Sequence, residues 1–226
     1  MNLEKTIKHL LGSDASEFKI VGDFFSDFLD EEEIPASCDL FIEAATMVKK
    51  AIVPPKLIIA SDTDGGSINP RKDWDHLGTM FCWHNRYELG DHQPRENSEE
   101  WLRENGPFFV QLPLYLYDHS GLTMSTGPFA CPWDSGQVGW IVVKAEDARK
   151  EFSVKALNGA IKAKVAACLE AEVKVYDQYL RGAVWGYVHG DDSCWGFFGD
   201  ELEETGMLEH IEAPRDVVDA AWEARS

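Results

Sequence analysis

Bases are scarce in this chain. Its 21 Lys and Arg residues stand against 40 Asp and Glu, a formal net charge of −19. A surface of that sign repels phosphate backbones and anionic lipid, which disfavours direct nucleic-acid binding and attachment to a membrane surface. Long apolar runs are also missing, and none approaches the roughly 18 residues that mark a membrane span. The first ten residues, MNLEKTIKHL, lack the basic-then-apolar order of a signal peptide. Cysteines number five, an odd count, and no CxxC occurs. A secreted disulfide framework and a zinc ribbon are therefore not expected, and the thiols should be reduced and mostly buried. The phosphate loops GxGxxG and GxxxxGK[ST] are absent, and so is the GxSxG nucleophile elbow. These absences lead to the expectation of a cytoplasmic protein with no cofactor, no metal and no membrane partner.

What is present can build a core. The 226 residues are 44% hydrophobic and 12% aromatic, which rules out disorder for the bulk of the chain. The acid is unevenly placed: residues 1–53 hold 11 acids and 5 bases, and residues 190–226 hold 11 and 2. Residues 54–189 are close to balance, with 18 and 14, and hold most of the aromatic rings. The expected organisation is a helical acidic segment over 1–55, an α+β core over 56–200 and an acidic helical tail over 201–226, together forming one compact domain.

Periodicity supplies the elements. Leu3, Ile7, Leu10 and Leu11 fall at helical spacing before Gly12, and Leu40, Phe41, Ala44, Met47, Val48 and Ala51 form a second stripe that ends at Val53-Pro54-Pro55. Short apolar runs at 57–60, 77–84, 108–117, 122–126, 138–143, 183–189 and 194–198 read as strands. Pro113 points to an edge position or a bulge. Helices are expected at 98–105 and over about 156–181, where Leu157, Ile161, Val165, Leu169, Val173, Tyr176 and Leu180 share one face. The tail reads as helical around 200–211 and after Pro214. Strands joined by short turns and one long crossing helix give an α+β fold: an antiparallel twisted sheet of about six strands, continuous over 56–198, with the long helix packed across it and extra helices at the termini. Trp133, Trp140, Leu157, Ile161, Val165, Leu169 and Tyr176 are expected in the core.

Two segments and one scattered set of side chains bear on chemistry. YDHSGLTMSTGPFACPWDSGQVGW, from Tyr117 to Trp140, places Cys131 between Pro128 and Pro132, with Asp118 and His119 one hairpin away. That is the composition of a Cys-His-Asp nucleophile, in which His119 takes the thiol proton and an acid orients the imidazole. The plainer reading is a structural connection, with Trp133 filling the core and Asp134 bonding backbone amides. SDTDGGSINPRKDWDHLG, from Ser61 to Gly78, spaces Asp62, Asp64 and Asp73 like positions 1, 3 and 12 of a calcium loop. Ser67 at position 6 and an aspartate at position 12 break the match, so a solvated loop is expected. His76, Cys82, His84, His92 and His119 are metal-ligand types, and Cys82 and His84 share a strand face. No complete ligand spacing appears, and no metal site is assigned.

NPRKDWDHLGTMFCWHNRYELGD (69–91), YDHSGLTMSTGPFACPWDSGQVGWIVV (117–143), AEVKVYDQYLRGAVWGYV (171–188) and DSCWGFFGD (192–200) resemble a family of uncharacterised proteins carried by phages and other mobile elements. That family has no assigned activity. The resemblance implies a setting in the cytoplasm of a host cell and action on host machinery, and it transfers no catalytic residue.

Two functions follow. In the first, the chain is an acidic, non-enzymatic binding protein that presents carboxylates to a basic protein of nucleic-acid handling or host defence, standing in for a phosphate backbone. The contact groups would be Asp30, Glu31, Glu32, Glu33, Asp200, Glu201, Glu203 and Glu204. These should be exposed and mostly unpaired, because only Arg215 and Arg225 follow Asp191. In the alternative, the chain is a thiol- or metal-dependent hydrolase or transferase that uses Cys131 and His119.

Overall fold

The computed structural model describes residues 56–62 and 68–225. The chain divides into two units at residue 57, and the architecture below is that of the second. The helices expected before Pro54, the acidic run 30–33, Cys38 and Asp64 lie outside the described residues.

The fold is α+β. Seven strands form two antiparallel sheets. The first takes β1 (Leu57–Ser61), β6 (Val184–His189) and β7 (Asp192–Phe198), in the order β1-β6-β7. The second takes β2 (Thr79–Cys82), β3 (Val110–Asp118), β4 (Leu122–Ser125) and β5 (Ser135–Val143), in the order β2-β5-β3-β4. The expectation of one continuous sheet is therefore corrected to two, of three and four strands. The helices are α1 (Pro70–Asp73), α2 (Ser98–Asn105), α3 (Ala145–Glu151), α4 (Gly159–Arg181), α5 (Leu202–Thr205) and α6 (Arg215–Glu223), with a 3-10 turn at Met207–Glu209.

The long helix α4 begins where the Asn158 side chain accepts the Ile161 N–H, 3.0 Å away, and ends at Gly182, whose φ of 73° suits a residue without Cβ. Its buried stripe of Val165, Leu169, Val173 and Tyr176 packs on Met80, Leu114, Ile141 and Val143 of the four-stranded sheet. Leu157 and Ile161 lie at the margin of this core, partly buried. Close approach needs Gly78, since a Cβ there would lie 2.4 Å from Leu169 Cδ2. Pro113 pairs with Trp140 of β5, while pairing with β4 begins only at Tyr115, next to a register shift between Leu114 and Tyr115. The ring thus sits where β3 has one neighbour, beside a bulge.

The second core joins the three-stranded sheet to the tail. Leu57, Ile59, Tyr187 and Phe197 meet Leu202, Met207, Ile211, Val218 and Trp222. Trp133 departs from its expected place: it is 91% exposed. The local reason is short-range bonding in its loop. Ser135 Oγ donates to the Cys131 carbonyl, and Asp118 N–H donates to the Asp134 carbonyl at 2.8 Å, so the turn closes on itself without the indole. Trp140 is half-buried.

Candidate functional site

The loop around Cys131 brings the expected groups together in an unexpected order. Asp134 Oδ2 accepts from Cys131 Sγ at 3.5 Å and lies 3.4 Å from His119 Nδ1. Asp118 turns away and takes Arg86 Nη1 at 3.1 Å and the Tyr87 hydroxyl at 3.4 Å. A Cys-His-Asp nucleophile needs the imidazole between acid and thiol, so that the ring can accept the thiol proton. Here the acid stands between imidazole and thiol, and it is Asp134 rather than Asp118. The His119 ring is exposed and stacks on Tyr117, with centroids 6.0 Å apart. This arrangement fixes a loop.

The remaining metal-ligand types are scattered. Cys82 is buried in the core, and His84 Nδ1 accepts the N–H groups of Arg86 and Tyr87 at 3.3 and 3.2 Å. Among the described residues no group of three or more His, Cys, Asp and Glu side chains could hold a metal ion. The four described cysteines are free thiols.

The acidic tail is exposed, as its composition requires, but the expectation of unpaired carboxylates at 200–204 is corrected. Asp200 takes both Nη atoms of Arg181, at 2.7 and 2.8 Å. Glu204 takes Lys174 Nζ at 3.2 Å, and Glu203 takes Arg215. Arg181 and Lys174 belong to α4, which folding brings beside the tail. The Arg181 guanidinium holds the Asp200 carboxyl below the usual carboxylate range, and Arg215 does the same for Glu203. Glu201, Glu209, Glu212, Asp216 and Glu223 are exposed and make no ion pair among the described residues. They lie on the layer of α5, the 3-10 turn and α6 that covers the three-stranded sheet.

The densest charge cluster was not anticipated from the sequence. The Arg71 side chain is 2% exposed. Its Nε donates to Asp91 Oδ1 at 2.9 Å, its Nη1 to Glu172 Oε2 at 2.9 Å and its Nη2 to the Gly78 carbonyl at 2.7 Å and to Asp91 Oδ2. Glu172 also accepts the N–H groups of Leu77 and Gly78, and Asp91 accepts that of Met80. Burial opposes the Arg71 charge, yet the two carboxylates outweigh it and raise its pKa. One guanidinium stands against two carboxylates, and the His76 ring lies 3.7 Å from Asp91 Oδ2 at the edge of the cluster. The available signal was Glu172 itself, an acid three residues after Leu169 and four before Tyr176 on an otherwise apolar stripe.

A cleft of about 340 Å³ borders the four-stranded sheet, lined in part by Phe81, His92, Trp101, Phe108 and Lys144. Its rings are packed on one another, Phe81 against Trp101 at 4.0 Å between centroids. Lys144, Glu146 and Asp147 line it together, so it presents no field of one sign.

Burial pushes the Cys82 thiol up to about 12, helped by Asp91, and pushes the Tyr176 phenol up to about 12. Tyr187 is raised to about 12 by burial and then by its bond to Asp192. Each group keeps its proton in the fold after the unfolded chain has released it. Their contribution to stability is complete below about pH 9 and is lost as pH rises towards 12. The melting temperature is expected to hold up to about pH 9 and fall steeply above it. Phenolate absorbance should show two of the six tyrosines titrating only as the fold is lost. Six tyrosines titrating together near pH 10 in a folded chain would contradict this.

Among the described residues no helix is long and apolar enough to cross a membrane. Compared with protein-family models, curated proteins and solved structures, the chain gives no match.

Proposed function

We propose that the chain is an acidic, non-enzymatic binding protein of a phage or mobile element, which presents carboxylates to a basic protein of nucleic-acid handling or host defence. One observation carries the reading. Glu201, Glu209, Glu212, Asp216 and Glu223 stand exposed and unpaired on a layer whose own bases, Arg215 and Arg225, are already engaged, with Asp219 and Glu203 and with the Trp185 and Trp222 rings. Their mutual repulsion is unscreened until salt or a basic surface approaches, and the same field steers such a surface in. Asp200, Glu203 and Glu204 have weaker claims as contact groups, since a partner's bases would compete with Arg181, Arg215 and Lys174. The sequence resemblance supplies the setting. An enzyme built on Cys131 and His119 draws no support from a thiol whose bonded partner is a carboxylate.

The test is affinity capture from host lysate with elution by salt. Capture by the wild-type chain is compared with capture by a chain in which the five free acids become Gln or Asn. The variant should lose the salt-eluted partner and melt at the same temperature or higher. Full capture by this variant, together with loss on Cys131→Ser or His119→Gln, would reverse the assignment in favour of the enzyme.

A further inference from the structure

A second cleft, of about 240 Å³, lies where the first turn of α2 faces β5. Two indoles line it, Trp83 and Trp140, both half-buried. Phe81 pairs in register with Trp140, and Trp83 N–H donates to the Val138 carbonyl at 2.7 Å, so both rings sit at one end of the β2–β5 pair. Trp83 is fixed before any ligand arrives. Its Nε1–H donates to the Glu96 carbonyl at 2.6 Å, and its ring meets the buried Trp101 edge-on at 5.8 Å between centroids. Trp140 is not engaged in this way. Among the described residues it makes no ring contact and its Nε1–H no hydrogen bond, and that N–H is not sealed from solvent.

The other polar groups of the cleft are also unspent. Gln137 uses one amide hydrogen on the Gly139 carbonyl, at 3.3 Å, which leaves its second hydrogen and Oε1. The Ser98 hydroxyl and the Glu99 carboxylate have no partner among the described residues. Donors and acceptors are thus mixed: the indole and amide N–H groups donate, Gln137 Oε1 and Glu99 accept, and Ser98 does both. A hydroxyl donates and accepts, so a ligand with several hydroxyls satisfies them all. A quaternary ammonium does neither, and a primary ammonium or a guanidinium only donates. A phosphate is repelled by Glu99 and by the net charge of −19. The indoles call for a flat apolar face. A pyranose ring with equatorial hydroxyls has that shape, with C–H groups on its faces and hydroxyls around its edge. The cleft is smaller than the roughly 300–1,000 Å³ of drug-sized sites, which suits a single ring.

We infer that this cleft binds a pyranose with an all-equatorial ring, either as a free sugar or as one unit of a glycan. An indole face packs on the ring C–H groups. Trp140 Nε1–H, Gln137, Glu99 and Ser98 take the hydroxyls. This binding is separate from the acidic tail and needs no basic partner.

The experiment titrates the full chain with methyl β-D-glucopyranoside, followed through the indole N–H resonances. Saturable shifts are expected at Trp83 and Trp140, with a dissociation constant in the millimolar range. The affinity should be equal at about 50 and about 200 mM salt, because the ligand carries no charge. Methyl α-D-mannopyranoside, with two axial oxygens, should bind at least threefold more weakly. Gln137→Ala, at an exposed position, and Trp140→Phe, which keeps a ring and removes the N–H, should each weaken the glucoside about threefold or more. The five-acid tail variant should bind it as the wild type does. Cellobiose separates the two sources. Binding tenfold tighter than the glucoside supports a glycan chain, and equal binding supports a single sugar. No saturable shift at either indole, equal binding of the mannoside, unchanged binding by both variants, or tighter binding of tetramethylammonium or adenosine at the same resonances would overturn the inference.

Discussion

Replacing Arg71 by leucine is expected to cost about 3–5 kcal/mol of unfolding free energy, the loss typical of a buried pair deprived of one partner. The guanidinium holds together three stretches of chain: α1, the segment from Gly78 to Asp91 that contains β2, and α4 through Glu172. Without it, Asp91 and Glu172 remain in place, bonded to backbone N–H groups, and the guanidinium they share is gone, leaving the partly exposed His76 ring 3.7 Å from Asp91 as the nearest base. Arg71→Lys should recover only part of the loss, because one ammonium cannot serve both carboxylates and the Gly78 carbonyl in the geometry of the planar fork. Denaturant unfolding measures both variants. A loss below about 1 kcal/mol for Arg71→Leu, the level of an exposed ion pair, would show that the cluster does not hold the fold.

Leu169→Ala is expected to cost about 2–5 kcal/mol, through lost burial and the cavity left behind. Leu169 is fully buried, at 0% exposure, in the core between α4 and the four-stranded sheet. Gly78 and Ile141 press against it from the sheet side, and neither can fill the gap without moving a strand. The same change at Leu157, partly buried at the edge of that core, should cost much less. Equal losses at the two positions in chemical denaturation would mean that α4 is not seated as described.

The helices and hairpins were legible because their signals are local. The stripe from Val165 to Tyr176, the capping Asn158 and the closing Gly182 specify α4 within one stretch of sequence. The turn after Asp118 specifies the β3–β4 hairpin in the same way. The split into two sheets was not legible. β1 pairs with β6, and β2 pairs with β5, across long separations. Alternation tells which face of a strand is apolar, but it does not name the strand beside it. The pairing of the tail acids was missed for a related reason. Counting bases near Asp200 in sequence leaves out Arg181 and Lys174, which reach it only through packing of α4. Trp133 misled because a tryptophan in a proline-bounded turn reads as core, while the turn bonds to itself and leaves the ring in solvent. The Cys131 loop shows what composition can and cannot give. It placed the thiol, imidazole and acid together, and only geometry put Asp134 between the other two.

In the proposed function the five free tail acids bind a basic partner. The most direct test is the affinity of the full chain for the salt-eluted partner as ionic strength rises from about 50 to about 200 mM, since screening of exposed charges grows strongly across that range. The wild-type chain should weaken steeply with salt. The chain with Gln or Asn at 201, 209, 212, 216 and 223 should bind more weakly at low salt and show a flatter dependence. Equal affinities and equal salt slopes for the two chains would contradict the claim and leave the acidity of the tail as a solubility feature.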